Sequence, residues 1–197
     1  REHAHVVVLS PHWGDNFEGK PTDATRELGR RIIREAGYDA ILGHSAHELQ
    51  GVELVDGKPI VYDAGNVLLD FNAAGGKVGQ SMLFEASFTQ AGITRITGRP
   101  ILMKNTKTVF AEGRVRDAIL KGWQAQGTEL GSEVRIEDGL AVVECAPGGI
   151  TGPESAGEPP RRPVPSAVRE APSDIVLEAV PEGVDVADVV WPGGAHL

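Results

Sequence analysis

The sequence predicts an α/β fold that continues into an α+β region, and three patterns carry this prediction. Two short apolar runs, in the segments His5–Ser10 and Ala40–Gly43, have the length and composition of strands buried on both faces. A segment with helical periodicity separates these two runs. Residues 81–145 read instead as antiparallel strands around glycine-containing turns. A strand, a helix and a strand in this order predict two parallel strands joined by a right-handed crossover.

The predicted helix begins after Pro21, where Thr22 and Asp23 are suitable N-cap residues, and Gly37 predicts its end. Apolar residues recur at helical spacing at Leu28, Ile32, Ile33 and Ala36. The arginines lie largely on the other side of this helix, at Arg26, Arg30, Arg31 and Arg34. A solvated helix face is the simplest interpretation of these arginines, and an anion-binding patch is the alternative.

The remaining elements follow from turn signals and apolar spacing. A third strand, Lys58–Tyr62, follows the turn Val55–Gly57. In the second half we predict antiparallel strands at Met82–Phe88 and Ile93–Met103, a helix marked by Val115, Ile119, Leu120 and Trp123, and a hairpin of Glu133–Ile136 with Leu140–Glu144 around Asp138-Gly139.

The chain divides into three predicted parts. Residues 1–146 form the folded domain, residues 147–172 form a disordered linker with seven of the 13 prolines, and residues 173–197 begin a small, truncated β segment. The chain starts at Arg1 and enters a strand almost at once. We therefore expect a fragment or a processed chain.

Composition narrows the function classes. The formal net charge of −9 argues against a nucleic-acid binder, which normally presents a basic face. No run approaches the roughly 18 apolar residues that cross a bilayer. Cys145 is the single cysteine, so it forms no intramolecular disulfide and no cysteine-based zinc site by itself. We interpret it as a buried strand residue, with a reactive thiol as the alternative.

Three histidines lie where chemistry could use them. His12 follows the first strand by two residues, His44 directly follows the second strand, and His47 comes three residues later. The carboxyl ends of parallel strands share one edge of a sheet, and ligands bind in the crevice there. Neutral imidazole is a good ligand for zinc, manganese or iron, so the three side chains are candidate metal ligands or catalytic groups. The alternative is three hydrogen-bonded loop residues. Gly14 and Gly43 are expected to let the backbone turn sharply at these strand ends.

The motifs around these histidines resemble one family. The chain has VVVLSPHWG at residues 6–14, GHSAHELQ at residues 43–50 and GKPIVYDAGN at residues 57–66. Their order and spacing are similar to those of the C-terminal half of the catalytic domain in CapA-type poly-gamma-glutamate capsule biosynthesis proteins. These proteins belong to the calcineurin-like metallophosphoesterase superfamily. The resemblance implies an incomplete metallophosphoesterase-like sheet with flanking helices.

The resemblance also implies a metal site. His12, His44 and His47 match histidines that bind a centre of two divalent metal ions, expected to be manganese, zinc or iron. The family's other ligands come from an N-terminal half with Gly-Asp, Asn-Leu-Glu and Asn-Asn-His motifs. This chain shows no such half, and we expect it to be missing.

Three further residues near these motifs have two interpretations each. Asp15 lies where the family often has a glutamate, and it is either a partner that orients a ligand imidazole or a plain loop carboxylate. The amide of Asn66 either faces the site or closes an Asx turn. Trp13 either packs on the sheet edge or forms a wall of the site. Together with His12, the side chains of Asp15 and Asn66 are the candidate catalytic groups.

The function implied by the resemblance is metal-dependent hydrolysis of a phosphoester or amide in poly-gamma-glutamate, capsule or related cell-envelope polymer metabolism. It implies an anionic polymer or peptide as substrate, no nucleic acid, membrane-associated capsule synthesis proteins as partners, and a location in the cell envelope or outside the cell. Two alternatives stay open: a metal-dependent peptide epimerase of a natural-product pathway and a non-catalytic envelope scaffold. Ser45-Ala46 replaces the family's usual His-Pro, and Asp63-Ala64 replaces Ser-Leu, which bears mainly on substrate identity.

Overall fold

Two sheets organise the fold, one built by each half of the described chain. The computed structural model describes residues 4–68, 79–104 and 107–147. The first sheet contains β1 (Val8–Leu9), β2 (Ala40–Leu42), β3 (Val52–Val55) and β4 (Lys58–Val61) in the spatial order β1-β2-β4-β3. The predicted mixture of helices with parallel and antiparallel strands is confirmed.

Strands β1, β2 and β4 run parallel, which confirms the strand–helix–strand prediction. Val8 lies opposite Ala40, and Ile41 lies opposite Ile60. Strand β3 was not predicted, and it pairs antiparallel with β4 across the turn at Asp56 and Gly57, where both residues have positive φ angles.

Strand β1 differs from its prediction in length and burial. It contains two residues instead of the six in His5–Ser10, and Val8 is 43% exposed. Among the described strands β1 pairs with β2 alone, so it forms an edge of the sheet. Burial on both faces was therefore wrong for this strand.

The first helix confirms its predicted ends. Helix α1 (Asp23–Arg31) is capped by Thr22, whose hydroxyl accepts a hydrogen bond from the Thr25 amide, and it continues into a π-helical turn, Ile32–Ala36. Gly37 then takes the left-handed conformation that ends the turn, with φ of 76°.

The buried face of the first helical segment is only partly the predicted one. Ile33 is buried and Ile32 packs against the same core, as predicted. Leu28 is 49% exposed, whereas Gly29 is buried against Trp13, Ile60 and Tyr62. Arg26 and Arg30 share this inner face and form ion pairs with the buried carboxylate of Glu53 on β3. The interpretation as a solvated face was therefore wrong for these two arginines, because a buried carboxylate on an unpredicted strand needs cationic partners.

The outer face of α1 and its π-helical turn carries the other two arginines, as predicted. Arg31 pairs with Glu35, and Arg34 pairs with Asp56, with all four side chains exposed by more than half.

The second sheet is antiparallel throughout. It contains β5 (Gln80–Thr89), β6 (Gly92–Lys104), β7 (Lys107–Phe110), β8 (Arg135–Glu137) and β9 (Leu140–Glu144). The spatial order is β5-β6-β9-β8, and β7 pairs with β6. Both predicted strand pairs are confirmed, and β7 is an additional strand.

Helix α2 (Gly113–Glu129) joins the two sheets into one core. Its residues Ile119, Leu120 and Trp123 are buried with Val52 of the first sheet and Ile96 of the second. The Trp123 indole donates a hydrogen bond to the Gln50 carbonyl oxygen at 2.8 Å. Val115, expected to mark the buried face, is 40% exposed.

Cys145 directly follows β9 and is partly buried, close to its predicted environment. Burial, with a smaller effect of the neighbouring Glu144 charge, raises the pKa of its thiol to about 11. The thiol is therefore almost wholly protonated at neutral pH, which favours the structural interpretation over the reactive one. No helix among the described residues is long and apolar enough to span a membrane. Apart from Pro147, the predicted linker and tail lie outside the described residues.

Candidate metal centre

His12 and His44 face each other at the carboxyl edge of the first sheet, as the crossover prediction required. Beyond β1 and β2 the chain forms one more parallel bridge, between His12 and His44 themselves. The Trp13 amide donates to the His44 carbonyl oxygen at 2.9 Å, and the His44 amide donates to the Pro11 carbonyl oxygen at 3.0 Å. Backbone pairing thus fixes the separation of the two Cα atoms independently of any contact between the side chains.

The two imidazoles approach through the same nitrogen. Their Nδ1 atoms lie 3.2 Å apart, their rings meet edge to face, and both side chains are exposed. One proton between the two nitrogens would make this a hydrogen bond. Two Zn–N bonds of about 2.0–2.1 Å at a tetrahedral angle place the two nitrogens about 3.3 Å apart. The separation therefore also fits a pair of ligands on one metal ion.

His47 is held in one tautomer by Asn66. The Asn66 amide nitrogen donates to the His47 carbonyl oxygen at 2.9 Å, so the amide oxygen is the atom that faces His47 Nδ1, at 2.8 Å. An amide oxygen only accepts, and Nδ1 must therefore carry the proton. Neutral His47 then has its lone pair on Nε2, which is the state of a metal ligand or a proton acceptor.

The backbone around His47 is strained. Ser45 has φ of 130° and His47 has φ of 58°, both in the region that residues with a side chain rarely adopt. Such conformations cost on the order of 1–3 kcal/mol each and persist only where surrounding contacts impose them. The loop that carries two candidate ligands is thus held in place by its neighbours.

Asp63 is the site residue that sequence reasoning missed as a functional group. Its carboxylate is 1% exposed and accepts hydrogen bonds from the amides of Ala46 and Gly65, each at 2.7 Å. Burial raises its pKa, while those two amides and the charges of nearby His44 and His47 offset part of the rise. Its signal in the sequence was an acidic residue at the end of a buried strand, two residues before Gly65.

Trp13 packs against the sheet, as one of its two interpretations had it. Its indole donates to the Tyr62 carbonyl oxygen at 2.8 Å and stacks on the Tyr62 ring. A Cβ atom on Gly43 would overlap both that carbonyl oxygen and the Trp13 indole nitrogen. Glycine is therefore required at position 43 because Tyr62 and Trp13 lie so close to its Cα. We had expected the glycine to serve a sharp turn instead. Gly14 has the expected positive φ, 79°.

Asp15 is exposed and makes no hydrogen bond or ion pair with any other described residue. The ring of Phe17 stacks on the His47 imidazole, with the ring centroids 5.8 Å apart.

The loops that carry the histidines and Asn66 have no positively charged lysine or arginine. These loops are residues 10–19, 43–50 and 62–68. Their carboxylates are those of Asp15, Glu18, Glu48 and Asp63. The charge of these loops favours a cation.

The structure brings His12 to His44 and Asn66 to His47, while Asp15 stands apart from both pairs. Within residues 4–68, 79–104 and 107–147, no group of three or more histidine, cysteine, aspartate or glutamate side chains is arranged to hold a metal ion. The three-imidazole cluster therefore stays a prediction.

Residues 1–71 match the family described as bacterial capsule synthesis protein PGA_cap. The CapA-like resemblance is confirmed for this segment. The matched segment contains all of the predicted site residues.

Three relatives align with the same segment. It is 39% identical over 70 residues to the PGA biosynthesis protein CapA of Bacillus subtilis. It is 35% identical over 71 residues to a probable polyglutamine synthesis accessory protein of Mycobacterium tuberculosis, and 34% identical over 67 residues to the capsule biosynthesis protein CapA of Bacillus anthracis.

These alignments cover a small part of each protein. They include 36%, 36% and 34% of this chain, and 18%, 18% and 16% of the respective relatives. The chain thus spans less than a fifth of the curated relatives that it matches. The likeness to metallophosphoesterases as a fold remains a prediction.

Proposed function

We propose that the segment forms part of a metal-dependent hydrolase site in poly-gamma-glutamate, capsule or related cell-envelope polymer metabolism. The observation that carries the proposal is the pair of His12 and His44 Nδ1 atoms, 3.2 Å apart, within a segment that matches a capsule synthesis family. Two neutral imidazoles at this separation fit the ligand set and geometry of zinc, and they also suit manganese or iron.

His12, His44 and His47 are the proposed ligands. A divalent metal ion would lower the pKa of a bound water and polarise the phosphoester or amide to be cleaved. Asn66 keeps the proton on His47 Nδ1, so that Nε2 offers its lone pair. Asp15, an exposed carboxylate of the loop that carries His12, is the proposed proton acceptor.

The charge of the site supports the requirement for a cation. Asp15, Glu18, Glu48 and Asp63 give the histidine-bearing loops a negative charge that no lysine or arginine in those loops offsets. An anionic polymer or peptide approaching this edge meets repulsion unless bound cations neutralise it. Metal binding before substrate binding is therefore part of the proposal.

A centre of two metal ions needs more ligands than three imidazoles. The matched segment corresponds to 18% of the Bacillus subtilis relative. We propose that another part of a longer polypeptide supplies the remaining ligands.

A non-catalytic scaffold is the second candidate function. One related protein of Mycobacterium tuberculosis is described as an accessory protein, and the described residues here lack a three-ligand group. In this role the segment would organise membrane-associated synthesis proteins in the cell envelope or outside the cell.

Calorimetric titration with Zn²⁺ and with Mn²⁺ separates the two functions. We expect the metal-free chain to bind one of these ions, and His44→Ala to weaken binding by more than about tenfold, since even groups behind the ligands contribute that much. His5→Ala is the matched control, because His5 is an exposed histidine outside the site. Equal affinity of the His44→Ala and unmodified chains would favour the scaffold.

A further inference from the structure

Ala46 lies between the two strained residues of the histidine loop, and both its amide and its carbonyl oxygen are hydrogen-bonded. Its amide donates to Asp63 Oδ2 at 2.7 Å, and its carbonyl oxygen accepts from the Phe17 amide, also at 2.7 Å. Ser45 and His47, on either side of it, have the positive φ angles. The two bonds therefore hold the two peptide units that join Ala46 to its strained neighbours.

The second carboxylate oxygen of Asp63, Oδ1, holds the turn that carries Asn66, the hydrogen-bond partner of His47. Oδ1 accepts from the Gly65 amide at 2.7 Å, and the next residue, Asn66, bonds His47 through both ends of its amide. Gly65 has φ of 72°. One buried carboxylate thus connects the loop that carries His47 to the turn that carries Asn66.

We propose that Asp63 is a positioning residue that holds His47 and Asn66 in the geometry that fixes the His47 tautomer. The inference rests on the proposed function only in treating His47 as a metal ligand. Asp63 itself need not touch the metal or the substrate. It acts through the backbone, since both of its hydrogen bonds go to peptide amides.

Asp39 offers a matched comparison within the same sheet. It is also a buried carboxylate, 4% exposed, that accepts a backbone hydrogen bond, from the Val7 amide at 2.9 Å. Asp39 directly precedes β2, at the opposite end of the strands from the histidines. Its removal should destabilise the fold without disturbing His47.

The test compares Asp63→Asn with Asp39→Asn by ¹⁵N NMR of the imidazoles in the metal-free chain. Asparagine has one acceptor oxygen, so Asp63→Asn leaves one of the two amides facing a donor. We expect a single Nδ1–H form of neutral His47 in the unmodified chain. In Asp63→Asn the Nδ1 resonance should shift toward the unprotonated range, whereas Asp39→Asn should keep the original pattern.

An unshifted His47 pattern in folded Asp63→Asn would overturn the proposal. If Asp63→Asn does not fold, Asp63→Ser serves instead, since its side chain has one oxygen in place of the two that accept from the Ala46 and Gly65 amides. Metal is absent throughout, so the result is independent of whether the site binds an ion.

Hydrogen exchange in the unmodified chain gives a second test that needs no variant. The Ala46 amide should exchange as slowly as the amides of β2, because its acceptor is a buried carboxylate. Exchange at the rate of an exposed loop amide would contradict the proposed role of Asp63.

Discussion

The two halves of the described chain bury different kinds of residue. Residues 4–68 contain six of the eight buried polar or charged residues: Asp39, Ser45, Gln50, Glu53, Asp63 and Asn66. Residues 79–147 contain the other two, Ser81 and Ser132. Burying a polar group costs free energy unless it is hydrogen-bonded, and burying a charge costs more. Four of the six in the first half, Ser45, Gln50, Asp63 and Asn66, lie in the loops at the histidine edge. The second half supplies apolar packing.

The buried ion cluster also lies in the first half, which has exposed pairs as well. In the second half Arg95 pairs with Glu137, and Arg135 pairs with Glu144, with all four side chains 39–48% exposed. In the first half the Glu53 side chain is 7% exposed and receives hydrogen bonds from the Arg30 guanidinium and the Tyr62 hydroxyl, each at 2.7 Å. The exposed pairs contribute little to stability, whereas the buried cluster holds α1 against the sheet.

The largest expected effect on stability comes from the apolar half. Ile96, on β6, is fully buried, and Ile96→Ala should lower the free energy of unfolding by about 2–5 kcal/mol. Urea denaturation followed by circular dichroism measures this change. Metal affinity, measured under conditions where the variant is folded, should stay the same. A weakened metal site in Ile96→Ala would show that the two halves are not separable in function.

Breaking the buried ion cluster should cost slightly less. Glu53→Ala leaves Arg30 and the Tyr62 hydroxyl without their carboxylate, and we expect a loss of about 3 kcal/mol in the free energy of unfolding. Glu35→Ala, on the helical segment that carries Arg30, is the control, since it breaks the exposed pair with Arg31. That control should cost less than about 0.5 kcal/mol. Equal losses in the two variants would remove the distinction between buried and exposed pairs.

Substitution of Asn66 should have a smaller effect, and it should lower metal affinity. Asn66→Ala removes the acceptor that keeps the proton on His47 Nδ1, and loss of such a partner lowers metal affinity by about 10–100-fold. Asn16→Ala, at an exposed asparagine between His12 and Phe17, is the control and should leave affinity unchanged. The same titration used for His44→Ala measures both variants. Equal affinities for the two asparagine variants would remove Asn66 from the site.

Much of the fold was predictable because its signals are local. Thr22 and Gly37 fixed the ends of the first helical segment, and the turn at Gln90–Gly92 fixed the β5–β6 hairpin. The contacts of Arg26 and Arg30 on the inner face of α1 were missed, because they depend on Glu53 in β3, the strand before the Asp56-Gly57 turn, which was not recognised. Gly29 and Arg26 occupy positions whose role is visible only once β3 and β4 are in place.

The candidate site was predictable to the level of the sheet edge. Parallel strands required His12 and His44 to meet, and their backbone bridge confirms it. The pairing of His47 with Asn66 depends on two positive φ angles and on Asp63, and no local pattern in Ser45-Ala46 indicates them. Long-range hydrogen bonds to backbone amides leave little trace in a single sequence.

The central claim is that these histidines coordinate a metal ion, and X-ray absorption spectroscopy of the zinc-loaded chain tests it most directly. We predict nitrogen ligands at about 2.0–2.1 Å with the outer-shell scattering of at least two imidazoles. His12→Ala should remove one imidazole from that count, and His5→Ala should remove none. A shell of oxygen atoms alone, unchanged in His12→Ala, would contradict the account.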